Sequence, residues 1–207
     1  RAVESGDRTA MARQLSRNST LLLALLLPAS VGVAMVSPTL AKLFVGPEYV
    51  APVAGMTAWM ALAAFFFGFR ANYLDHAFQL GHKTHHLVAV VAVTAALNLL
   101  LELALIPRFG AVGVAMANLI AGAAGLGLAA WAARSVMTMP IAWRDAAKTG
   151  IAVAAMALFL WPFYGRGDLL SLAAAVIGGA AIYGAVLLAL DAMDLRSVVK
   201  RRLARFT

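Results

Sequence analysis

The chain has 207 residues, of which 63% are hydrophobic and only 13% charged, with a mean hydropathy of +0.86. Soluble domains carry about 25% charged residues, so this balance excludes a water-soluble globular domain and places the chain in a membrane. Cysteine is absent, which excludes disulfides, thiolate metal sites and cysteine nucleophiles within these residues, and the net charge of +8 makes the positions of lysine and arginine informative.

A bilayer core of about 30 Å is crossed by about 20 apolar residues in a helix. Apolar runs predict six transmembrane helices, at about 20–41, 51–74, 86–106, 111–133, 148–164 and 169–190. The expected fold is therefore an all-α, polytopic helix bundle. Residues 1–19 read as a cytoplasmic link, 20–134 as four spans of one unit, 135–147 as a cytoplasmic loop, 148–192 as two further spans and 193–207 as a basic tail. The chain opens on Arg1 with no signal-peptide pattern, so a fragment of a longer protein is expected.

In the first span, Pro28 lies mid-helix in LLLALLLPASVGV and withholds one backbone N–H, so a kink and a freed carbonyl are expected. The second span ends in FGFRANYLDHAFQLGHK. At α-helical spacing Asn72, Asp75, His76 and Gln79 share one face, with Arg70 a turn before Asp75. That face is either a polar lining at a cavity mouth, where Arg70 meets an anionic headgroup, or a helix leaving the bilayer with Arg70 snorkelling. The histidines at 82, 85 and 86 follow in a loop and are adequately explained by solvation, with no metal site expected.

The third span carries Asn98 and Glu102 four residues apart. Ionisable groups in hydrocarbon are costly and mark pathways, so Glu102 is a candidate for proton or cation coupling, or it pairs with Arg108 near the outer surface. Pro107 to Gly110 then form a short hairpin turn into the fourth span. There Gly113, Ala117, Ala121, Gly125, Ala129 and Ala133 recur every fourth residue, a small-residue seam along which helices approach closely. Asn118 is either interhelical glue or cavity lining. A weaker seam is expected in the sixth span at Ala181, Ala185 and Ala189, together with the Gly178 and Gly179 pair, where alanine-rich composition alone is the alternative.

Assigning loops alternately to two sides puts fourteen of the seventeen lysines and arginines on the side of the N-terminus, leaving Lys42, Arg108 and Arg166 opposite. The positive-inside rule then places both termini in the cytoplasm. The tail KRRLAR, following a span, suits anionic lipid headgroups rather than nucleic acid. No metalloprotease, serine-hydrolase or phosphate-loop signature is present, so no enzyme is expected.

Three stretches carry a family resemblance. ESGDRTAMARQLSRNSTLLLALLLPASVGVAMVSPTLAKLFVGPEYVAPV, QLGHKT and NLLLELALIPRFGAVGVAMANLI, in this order, resemble the C-terminal half of a bacterial polysaccharide or lipid-linked oligosaccharide flippase of the multidrug/oligosaccharidyl-lipid/polysaccharide exporter superfamily. Glu102 departs from the neutral residue expected there. The resemblance implies an inner-membrane transporter that flips undecaprenyl-pyrophosphate-linked sugar units by alternating access, for surface polysaccharide. It further implies an N-terminal lobe absent from this chain, partner polymerases or glycosyltransferases, and no cofactor beyond H+ or Na+ coupling. The cavity residues implied are Arg70, Asn72, Asp75, Gln79, Asn98, Glu102 and Asn118. A drug exporter of the same superfamily and a scaffold subunit of a glycan-assembly complex are the alternatives.

Overall fold

A computed structural model describes residues 8–194. The link residues 1–7 and the basic tail from 195 onward lie outside the described residues. Among the described residues seven α-helices follow one another: α1 (Arg8–Phe44), α2 (Val50–Phe69), α3 (Asp75–Leu80), α4 (Thr84–Phe109), α5 (Ala111–Ala133), α6 (Trp143–Leu160) and α7 (Leu169–Ala189). A π-turn, Arg70–Leu74, joins α2 to α3 into one span, so six helical segments are long and apolar enough to cross a membrane. Two of them overrun their apolar cores: α1 begins twelve residues before Thr20, within the segment read as a link, and α6 begins at Trp143.

α1 is shared between two cores. On one side it packs with α2, whose far face meets α5, and α5 in turn meets α4. Phe69, Tyr73, Leu74, Phe78 and Ala129 are buried in this core. On its other side α1 packs with α6 and α7 around Val36, Val153, Met156 and Leu160. The α5–α6 link is pinned to the first core where Tyr73 Oη donates to the Pro140 carbonyl. At the opposite end, Thr39 Oγ1 donates to the Phe163 carbonyl at 3.1 Å. Asp168 caps α7 by accepting the Ser171 N–H at 2.7 Å, and hydrogen bonds from Ser171 hold the exposed Asp168 carboxyl below its usual range.

The hairpin between α4 and α5 is tighter than the four-residue turn expected from the sequence. α4 continues through Pro107 to Phe109, because a proline in the final turn forfeits only one helical bond. Gly110 alone reverses the chain, at φ 56° and ψ −138°, a conformation open to glycine. Right after it, a Cβ on Gly113 would lie 2.7 Å from the Leu105 carbonyl oxygen, so the two backbones touch there. All six residues of the α5 stripe are buried. Of the seam expected in α7, the alanines face outward, Ala181, Ala185 and Ala189 being exposed, whereas Gly179 is buried together with Ser171, Ala175 and Leu187. Both stripes have helical spacing, and only the position of α1 and α6 selects between them.

Candidate functional site

The π-turn organises the polar end of the second span. In a regular α-helix Asp75 would stand about 140° round from Arg70, five residues away. The widened turn, closed by the Asp75 N–H on the Arg70 carbonyl, brings Asp75 back over Arg70. Arg70 Nε and Asp75 Oδ2 are 3.7 Å apart, and both side chains are 11% exposed. The same guanidinium lies 5.7 Å from the Phe67 ring centre and donates from Nη1 to Thr94 Oγ1 at 3.4 Å. At 3.7 Å the ion pair is longer than a hydrogen bond, and Arg70 Nε and Asp75 Oδ1 are buried without a hydrogen-bond partner. π-turns inside helices concentrate at functional sites.

This turn also splits the polar face expected from α-helical spacing. Asn72, His76 and Gln79 are exposed, and Asn72 Nδ2 donates to the Gly68 carbonyl of its own helix at 2.8 Å. Asp75 is buried against Arg70. The extra residue shifts Asp75 only relative to Arg70 and Asn72; within α3 Asp75 keeps its α-helical spacing to His76 and Gln79 and lies at the edge of that face turned to Arg70.

Arg70, Asn98 and Asn118, far apart in sequence, line one pocket of about 180 Å³ between α2, α4 and α5. Phe67, Val91, Thr94 and Ala95 complete its wall. Thr94 was invisible in the sequence because a lone threonine in an apolar run carries no signal. In space it belongs to a ladder: Thr94, Asn98 and Glu102 recur every fourth residue on one face of α4. Asn98 Nδ2 donates to Glu102 Oε1 at 2.8 Å, which leaves Asn98 Oδ1 buried and unpartnered. Asn118 Nδ2 donates to the Val114 carbonyl at 3.0 Å. The Glu102–Arg108 pairing does not form. Because α4 stays helical past Pro107, six residues put Arg108 about 120° away from Glu102 around the axis.

Gly125 makes room for the guanidinium. A Cβ there would lie 2.7 Å from Thr94 Oγ1 and 3.1 Å from Arg70 Nη1. The seam in α5 therefore does two things: it lets α4 and α2 close on α5, and at Gly125 it leaves the space that Arg70 fills. At about 180 Å³ the pocket is below the usual 300–1,000 Å³ of a complete ligand site, so it can serve as a polar subsite only.

A second concavity lies across the molecule. Pro28, Gly32 and Val36 of α1, Met156 and Leu160 of α6, and Ala175, Gly179 and Tyr183 of α7 line an apolar groove of about 400 Å³. Its walls come from α1 and from the α6–α7 hairpin, far apart in sequence, so no single run of sequence announced it. Among the described residues no group of three or more histidine, aspartate or glutamate side chains could hold a metal ion, and His86 stacks on Phe78.

Among the described residues, six segments long and apolar enough to cross a membrane, with a buried arginine facing a polar pocket and an apolar groove between spans, define a polytopic membrane protein. The family model described as lipid II flippase MurJ matches residues 1–176, from α1 into the start of α7. The chain belongs to that family, within the superfamily that the three sequence stretches resemble. It is thus a multi-pass inner-membrane protein of a family that flips lipid-linked precursors. No curated protein matches the chain.

Proposed function

We propose that, in the full-length protein, this chain moves an undecaprenyl-pyrophosphate-linked saccharide across the inner membrane by alternating access. Lipid II is the cargo favoured by the family it matches. A lipid-linked unit for surface polysaccharide is the other member of the same chemical class. The observation that carries the proposal is Arg70: a buried guanidinium within the second membrane-crossing segment, facing a pocket walled by three helices, with Nε unbonded. Holding such a charge in hydrocarbon is expensive unless it serves an anion or a pathway. A diphosphate headgroup supplies the acceptors that Asp75, at 3.7 Å, does not. The apolar groove on the other side of α1 suits a stretch of polyprenyl chain.

The test separates substrate binding from a structural ion pair. Arg70→Gln in the full-length protein should lower flipping of lipid II in proteoliposomes about tenfold or more, with normal membrane insertion. Exchanging the charges, Arg70→Asp with Asp75→Arg, should restore stability and leave flipping low. Flipping restored by the exchange would assign Arg70 to the ion pair alone and sink the proposal. Offering a surface-polysaccharide precursor alongside lipid II in the same vesicles identifies the cargo.

A further inference from the structure

Two prolines interrupt α1, and each removes the N–H that would bond the carbonyl four residues before it. At Pro38 the freed carbonyl is that of Ala34. Ser37, the residue before the proline, donates its hydroxyl to it at 2.9 Å, so the gap closes within the helix. At Pro28 the freed carbonyl is that of Ala24, and the preceding residue is Leu27, which has no donor to offer. The hydroxyl comes instead from another span: Tyr183 Oη of α7 donates to the Ala24 carbonyl at 2.7 Å. Ala24, Pro28 and Tyr183 all line the apolar groove. A carbonyl left open in such surroundings has no water to turn to, so the bond is hard to dispense with.

We propose that Tyr183 is a positioning residue, a clasp that supplies the hydrogen bond Pro28 withholds and thereby ties the α6–α7 hairpin to the break in α1. The clasp sets the width of the groove between α1 and α7. A proline break lets a helix bend, and here the bend is answerable to α7, because straightening or deepening it moves the Ala24 carbonyl away from Tyr183. The consequence for flipping rests on the substrate proposed above, whereas the clasp itself does not.

The experiment uses the full-length protein, otherwise free of cysteine, with Val36→Cys as a reporter. Val36 lines the groove and is 9% exposed, so its reaction with a membrane-permeant maleimide reads groove opening. Tyr183→Phe should raise the labelling rate about fivefold to tenfold and lower flipping of lipid II by a similar factor. Adding Leu27→Ser places a hydroxyl three residues after Ala24, the relation Ser37 has to Ala34. It should return thermal stability to the parent value while labelling stays fast and flipping stays slow, because the carbonyl is satisfied and α7 is still untied. Recovery of labelling and flipping together with stability would overturn the clasp, leaving Tyr183 as a mere carbonyl partner. Parental labelling in Tyr183→Phe would overturn it as well. A parent protein that fails to flip lipid II would remove the cargo assignment, and the labelling comparison would still decide the clasp.

Discussion

Gly125 and Gly127 stand two residues apart in α5 and meet opposite surroundings. A Cβ at Gly125 would press on Thr94 and Arg70, whereas at Gly127 nothing lies within 4 Å. Overfilling a packed site costs about 1–3 kcal/mol, while alanine for an unhindered helical glycine contributes about 0.5–1 kcal/mol of stability. Gly125→Ala should therefore lower the melting temperature of the detergent-solubilised protein and weaken flipping, and Gly127→Ala should raise the melting temperature. Equal effects at the two positions would contradict the close approach at Arg70. The periodic stripe containing Gly125 was legible in the sequence because small residues every four positions have a physical use in lipid. Its second task was not legible, since the guanidinium that occupies the space comes from a helix some fifty residues earlier.

The second span shows what element-scale reasoning can and cannot reach. Hydropathy placed the span, but α-helical phase misplaced Asp75 relative to Arg70 and Asn72, because one extra residue is absorbed in the π-turn Arg70–Leu74. If that is the cause, the register can be edited. Deleting the exposed Ala71 should convert the turn to an α-turn, leave Asp75 four residues from Arg70 and still above it, and keep the melting temperature near that of the parent. Inserting an alanine after Ala71 should swing Asp75 and α3 away from Arg70. Breaking a buried pair costs about 3–5 kcal/mol, so the insertion should destabilise severely. Thermal unfolding of both proteins reads the difference; a deletion that unfolds the protein would mean that the π-turn does more than carry the register.

At the scale of the whole molecule, α1 joins two helical cores, and the ends of the bundle differ in charge. Arg13, Arg17, Lys83, Arg134, Arg144 and Lys148 gather at the end where α1 begins, with the exposed Trp131 and Trp143. Lys42, Arg108 and Arg166 mark the other end, where Trp161 stacks on Tyr164. Basic residues stay on the cytoplasmic side and aromatic rings settle at both interfaces. Alkaline phosphatase fused after either terminus should accordingly be inactive in cells, and fused in the turn at Gly110 it should be active. An active terminal fusion would reverse the orientation.

The sequence by itself determined the membrane environment, the six spans, the charge asymmetry and the seam in α5, and its three motif stretches pointed to the flippase superfamily. The first four follow from composition and local periodicity, which act over one helix and need no knowledge of neighbours, whereas the superfamily came from the resemblance of those stretches. Only the tertiary structure decided that Arg70, Thr94, Asn98 and Asn118 share a pocket, that α7 buries Ser171, Ala175, Gly179 and Leu187 rather than its alanine stripe, and that Tyr183 answers Pro28. Each of these depends on which helix lies against which, and in lipid that choice is made by shape and by unsatisfied polar groups rather than by hydrophobicity, which is uniform along every span.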